Sequence, residues 1–220
     1  MTRLLLASAS PARRATLRSA GIEPVVAVSG VDEDRALADA RARRGSLDPA
    51  EAVLVLARAK AEDVAAALPE RHPRMHDLLV LGCDSMLELD GQVLGKPSDA
   101  AEAVVRWDAM RGRSGVLHTG HWLVDARSLD AGGTGLELGE TASTVVHFAD
   151  LSDEEVAAYV ATGEPLLVAG AFTVDGRGGP FVEGIEGDHH NVVGLSLPLL
   201  RHLLRRVGVP VTELWSRMPA

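Results

Sequence analysis

Leu4-Leu5-Leu6-Ala7-Ser8-Ala9-Ser10-Pro11-Ala12-Arg13-Arg14-Ala15-Thr16-Leu17, residues 4–17, reads as a buried strand, a turn of small residues, and a helix that opens on two arginines. The apolar run Leu4–Leu6 suits a sheet interior. Ser10 is a good N-cap and Pro11 suits the first helical position, which places the helix start at Ser10. The free N–H groups and positive dipole end of such a helix attract anions, and Ser8, Ser10, Arg13 and Arg14 extend that preference. Two readings stand side by side: a phosphate cradle, or an ordinary strand–turn–helix whose arginines are solvated.

The 220 residues suffice for one domain, 1–220, with room for two lobes around a cleft. Apolar content of 46% with 24% charged residues is globular, and a net charge of −9 argues against nucleic acid or a membrane surface as partner. Any phosphate ligand must then be held by a local basic cluster. The single cysteine, Cys83, excludes an internal disulfide framework and a cysteine-based zinc site, consistent with a reducing compartment. No apolar core of signal-peptide length precedes Pro11, and no run approaches the ~18 residues of a membrane span, so a cytoplasmic protein is expected.

Beyond the first helix, which Gly21 should stop, Pro24–Ser29 reads as a valine-rich strand. Asp32, Glu33 and Asp34 follow it. Three carboxylates at a strand-to-loop junction suit a hard divalent cation; the alternative is a solvated acidic loop capping a helix from Arg35 onward. Residues 48–68 carry the clearest helix pattern, with Asp48 as N-cap, Pro49 first, Glu51 completing a capping box, and Pro69 beyond the end. At about 100° per residue, Lys60 lies within about 20° of Val53 on the apolar face. A lysine there either snorkels past the core edge or points its ammonium into a polar cavity, and the cavity is the preferred reading.

Leu78–Cys83 reads as a central strand ending at Asp84-Ser85, with a second strand at Met86–Leu89 and a hairpin turn at Asp90-Gly91. Extending that hairpin register brings Lys96 opposite Ser85, although strict alternation puts Asp84 and Lys96 on opposite faces unless a loop intervenes. Helices are expected from Ser98 or Asp99 to about Met110, from Ser152 to Thr162 and from Ser196 to Val207. Strands are expected at Gly115–Asp125 and Glu140–Phe148, joined by a glycine-rich tip at 130–135. Trp107 reads as core. The glycine-dense segment 169–194 reads as a loop-rich cleft wall, and His189-His190 as surface loop residues whose adjacent side chains do not converge on a metal.

Ser-Ala-Ser-Pro-Ala-Arg-Arg, Val-Asp-Glu, Leu-Ala-Arg-Ala-Lys-Ala, Gly-Cys-Asp-Ser, Leu-Gly-Lys-Pro, Thr119-Gly120 and Asn-Val-Val-Gly-Leu from Asn191 occur in one order along nearly the whole chain. In that order they resemble the Maf family of nucleoside triphosphate pyrophosphatases. The resemblance implies an α/β, inosine-triphosphatase-like fold: a mixed twisted sheet with flanking helices forming two lobes around a nucleotide cleft. It implies cleavage between the α- and β-phosphates of non-standard, modified or excess nucleoside triphosphates, with Mg²⁺ or Mn²⁺ as cofactor and a homodimer as the assembly. By motif, Ser8, Arg13 and Arg14 fall on phosphate-binding positions, Glu33 and Asp84 on the metal site, Asp84 on the proton acceptor, and Lys60 and Lys96 on the family's two lysines. Ser10 joins the cradle through the turn itself. The family is also associated with arrest of septum formation, so a non-catalytic nucleotide-binding regulator is the alternative. Ala12 stands where an arginine is usual, Leu167-Val168 where Asp-Lys is common, and Asp175 where glutamine is common, so no base preference carries over.

Overall fold

A computed structural model describes residues 2–71 and 77–216. Strand β1 (Arg3–Leu6) is buried along Leu4–Leu6, and helix α1 (Pro11–Ser19) starts as the turn chemistry predicts, with Ser10 Oγ accepting from Arg13 N–H. Gly21 ends it with φ at 79°. The next strand is shorter than expected: β2 contains only Val25–Val26, in parallel register with Leu5 and Leu6 at the sheet edge. Helix α2 (Glu33–Arg44) begins two residues ahead of Arg35, because Asp32 supplies the cap. Helix α3 (Pro49–Arg71) has the expected capping box between Asp48 and Glu51. It passes Pro69 instead of stopping before it, since a proline in the last turn removes one backbone donor without closing the helix.

Strand β3 (Leu78–Leu89) runs without interruption through Asp84-Ser85. The expected break is absent because β5 pairs with β3 from Leu78 to Glu88 and holds it straight. The opposite edge is discontinuous. β1 pairs in parallel with Leu78–Leu81, and β4 (Gln92–Leu94) returns antiparallel along Leu87–Leu89. Asp90 and Gly91 both have positive φ, 51° and 78°, as a two-residue hairpin turn requires. Gly82–Met86 therefore lies in a fork between two strands that approach the same edge from opposite directions. After helix α4 (Ala100–Met110) the sheet continues with β5 (Ser114–Ala126) and β6 (Glu137–Phe148) as one long antiparallel hairpin. Helix α5 (Asp153–Ala161) follows, then β7 (Val182–Glu186), α6 (His189–Val193) and α7 (Leu197–Arg206). Strand order is β2-β1-β3-β5-β6-β7, with β4 pairing β3 beside β1. The glycine-dense segment thus contains an edge strand and a short helix that a loop reading missed.

Side-chain alternation along β3 divides the core. Leu79, Leu81 and Cys83 face Leu17, Leu200 and Leu203 on one side, while Leu78 and Val80 face Ala61, Val64 and Leu68 of α3 on the other. Beyond the fork, Leu87 and Leu89 join Trp107, Phe148 and Tyr159 in a separate cluster under α4 and α5. Trp107 is fully buried, as expected. Three clusters result, two on opposite faces of β3 ahead of the fork and one beyond it.

Two glycines set the height of α3 above the sheet. A Cβ on Gly82 would lie 2.1 Å from the Ala57 carbonyl oxygen, and one on Gly120 would lie 2.3 Å from that of Val53. Any side chain at either place would lift the helix, and with it Lys60.

Candidate active site

Asp84 follows Leu78, Val80 and Gly82 on the face that α3 covers, and α3 carries Lys60 directly over it. Lys60 Nζ donates to Asp84 Oδ1 at 2.6 Å and lies 2.8 Å from Glu33 Oε1. The Lys60 and Asp84 side chains are each 12% exposed, so the lysine does point into a polar cavity. Glu33, in the first turn of α2, is half exposed and closes the cluster from the solvent side. The acidic run is thereby divided: Asp32 caps the helix, Glu33 turns toward Lys60, and Asp34 is exposed. Burial raises the Asp84 carboxyl above the ordinary aspartate range, against the opposing pull of Lys60 and then Arg13. A buried carboxyl with a raised affinity for protons is suited to accept one.

The other half of the cradle lies at the fork. Arg13 reaches across the gap left by β1, where Nη1 donates to Ser8 Oγ at 3.0 Å and to the Cys83 carbonyl at 2.9 Å. Its Nη2 donates to Ser85 Oγ at 2.9 Å and its Nε to the Gly194 carbonyl at 2.8 Å. Ser8 Oγ also accepts from Ser10 N–H at 3.2 Å. Arg13 therefore fastens the turn after β1, the centre of β3 and the end of α6 into one rigid unit. Ser85 continues the chain to Thr119 Oγ1 at 2.9 Å, and Asn191 of α6 donates to the Leu117 and Ala142 carbonyls beneath it.

Arg14 and Lys96 stand apart from this assembly. Arg14 lies 3.5 Å from Glu23, which Arg18 also engages, so it faces the outside of α1, away from the contacts of Arg13. Lys96 is exposed, in the loop after β4. The ladder ends at Leu94, so the register that would set Lys96 opposite Ser85 is not continued. Its backbone is nonetheless held close to the fork: Arg106 donates to the Gly95 and Lys96 carbonyls, and Gly170 N–H donates to the Gly95 carbonyl at 3.0 Å. Leu167 and Asp175 are exposed.

His189 and His190 open α6, capped by Asp188, and do converge. Their rings stack with centroids 3.8 Å apart, and ligand atoms of Asp188, His189 and His190 lie within 4.8 Å of one another. Helical geometry brings together neighbours that an extended loop would separate. Cys83 is fully buried and burial pushes its thiol up to about 12, which removes it as a nucleophile. His121 is also buried, with burial pulling it down to about 4. It donates to the Thr119 carbonyl and accepts from Ser196 N–H at the start of α7, so it is a neutral support. Ser85, Thr119 and Gly194 lie within the quoted motifs but gain their contacts with Arg13 and one another only in the tertiary structure, and Arg106 lies in no motif.

A raised carboxyl, a buried ammonium and a guanidinium-braced turn thus meet at the centre of a mixed α/β sheet. The chain belongs to the Maf family: the family model described as "Maf-like protein" matches residues 3–207. It is 59% identical over 98% of its length, and 88% of the relative's, to a protein of Salinispora tropica named nucleoside triphosphate pyrophosphatase. It is 56% identical to a protein of the same name from Streptomyces coelicolor, covering 97% of this chain and 95% of that one. A solved Mycobacterium abscessus nucleoside-triphosphatase, described as a dITP/XTP pyrophosphatase, overlaps with a TM-score of 0.38 at 13% identity, covering 94% of this chain and 96% of that one.

Arg13→Ala leaves the Cys83 and Gly194 carbonyls without their charged donor and should destabilise the fold by about 2–3 kcal/mol in urea melts. Arg14→Ala should change stability by less than about 0.5 kcal/mol. Equal effects would contradict the separation of the two arginines. Because folding raises the Asp84 pKa, its stabilising contribution is complete below about pH 4, near the unfolded value, and is lost as pH climbs through the raised one. The unfolding free energy of the wild type relative to Asp84→Asn should therefore fall across that window, and a rise would contradict the raised pKa.

Proposed function

We propose that the chain hydrolyses nucleoside triphosphates between the α- and β-phosphates, releasing a nucleoside monophosphate and pyrophosphate. The observation that carries this reading is the buried Lys60–Asp84 pair facing Glu33 beside an Arg13-braced turn. Asp84 holds a water by one carboxylate oxygen and accepts its proton as the oxygen attacks the α-phosphorus. The new bond to phosphorus forms as the bridging α–β bond breaks, and the electron pair leaves on pyrophosphate. Lys60, now shared with the substrate, offsets charge on the phosphate oxygens. Ser8, Ser10 and the N-terminus of α1 receive the outer phosphates, and Lys96 closes on them from its loop.

Two carboxylates that share one ammonium fit a divalent cation of the Mg²⁺ or Mn²⁺ type, since such ions take one or two carboxylates and complete their shell from substrate phosphates and water. Glu33 and Asp84 would hold it. When bound, the cation supplies neutralisation of charge that builds on the phosphates. The composition, with −9 net charge, supports a free nucleotide over nucleic acid as substrate. Among the described residues no helix is long and apolar enough to cross a membrane. A cytoplasmic homodimer is the proposed working form.

Pyrophosphate release from a panel of standard and modified nucleoside triphosphates with Mg²⁺ or Mn²⁺ tests the reading. Turnover by the wild type is expected, with Asp84→Asn and Lys60→Ala each lower by about 10²-fold or more. Tight triphosphate binding with no turnover above the Asp84→Asn control would favour the non-catalytic regulator instead.

A further inference from the structure

The sheet face that carries Asp84 continues beyond α3. The close approaches of the helix fall at Gly82 and Gly120, and the next positions outward, Met86 and Glu88 on β3 with Val116 and Val145 on β5 and β6, are half-buried. At about 3.3 Å per residue, Met86 and Glu88 lie about 7 and 13 Å along the strand from Asp84. That is the direction in which a nucleoside can extend from an α-phosphate at Asp84, because the opposite face is filled by the cores under α7 and α4.

A polar chain crosses this stretch of the sheet. His118, in register with Met86 and Ser143 and 8% exposed, has Nε2 3.0 Å from Glu88 Oε2 and Nδ1 2.8 Å from Ser143 Oγ. A carboxylate only accepts, so Nε2 carries a hydrogen; in the neutral ring Nδ1 then accepts from the Ser143 hydroxyl. Ser143 Oγ then keeps acceptor capacity, and the residue is exposed. Glu88 Oε1 makes no hydrogen bond among the described residues. Both ends of the chain present acceptors, framed by the apolar side chains of Met86, Val116 and Val145, which is the composition of a small-molecule pocket.

We infer that Glu88, His118 and Ser143 form the base-selecting part of the site, and that they favour a nucleobase with adjacent N–H donors on one edge, the guanine type. Glu88 accepts from the ring N–H and the exocyclic amine, as carboxylates accept from amine-bearing base edges, and Ser143 accepts from the remaining donor or a sugar hydroxyl. His118 touches neither; it is a positioning residue that fixes both acceptors. A base that offers an acceptor at that edge meets a carboxylate with no donor to give, and an unpaired polar contact of this kind is a strong means of rejection. This inference rests on the nucleotide reading proposed above.

The test compares kcat/KM for guanosine, inosine and uridine triphosphates in the wild type, Glu88→Gln and Ser143→Ala. Guanosine triphosphate should be preferred by about 10-fold or more in the wild type, a discrimination expected of a well-placed pair of hydrogen bonds. Either variant should lower that preference by about 10-fold or more while the melting temperature stays within a few degrees. Ser143 is exposed, so Ser143→Ala remains informative if Glu88→Gln folds poorly. A wild type with no guanine preference, or variants that slow all three substrates equally, would overturn the inference. Kd values for non-hydrolysable guanosine and uridine triphosphate analogues separate the two claims: absent turnover counts against the proposed reaction, and equal Kd values count against the pocket.

Discussion

The contact between Lys60 and Asp84 is the constraint on which the rest of the structure depends. Two opposite charges 2.6 Å apart and mostly removed from water tolerate little displacement, because an unpaired buried charge costs about 3–5 kcal/mol. Keeping them together requires α3 to lie close against the sheet, which only glycine at positions 82 and 120 permits. It also requires a helix face that accepts one lysine among Val53, Leu56, Ala57 and Val64. Such a pair adds little net stability compared with apolar packing, so its presence at the centre of the sheet is better explained by chemistry than by folding.

The forked edge of β3 gives that chemistry an opening. A parallel strand approaches from one end and an antiparallel one from the other, and they leave the backbone around Asp84 without a neighbour on one side. Arg13 fills part of this gap by bonding the Cys83 carbonyl, which would otherwise be an unpaired acceptor in a buried strand. Lys60 and Glu33 approach Asp84 from the face that α3 covers. The polar gap beside Asp84 is therefore a consequence of strand order, not of loop length.

Much of this was legible in the residues, and what was not has physical reasons. Caps at Ser10, Asp48, Asp99, Ser152 and Ser196 are local hydrogen-bond chemistry, and all five helices start where their caps indicate. Lys60 was visible because helical periodicity placed a charge on an apolar stripe. The continuity of β3 was not legible, since Asp84-Ser85 resembles a strand end until β5 supplies a partner along its full length. Arg13 and Arg14 look equivalent in sequence, yet Glu23 draws Arg14 outward while the fork draws Arg13 inward. The chain from Glu88 to Ser143 joins residues on three strands, so only register brings it together.

Beside Asp84, water should attack the α-phosphorus of the bound nucleotide and not the β-phosphorus. Hydrolysis of a nucleoside triphosphate in ¹⁸O-labelled water, read by phosphorus NMR or mass spectrometry of the products, tests it most directly. The account predicts label in the nucleoside monophosphate and unlabelled pyrophosphate; label in the pyrophosphate, or release of orthophosphate in place of pyrophosphate, would contradict it.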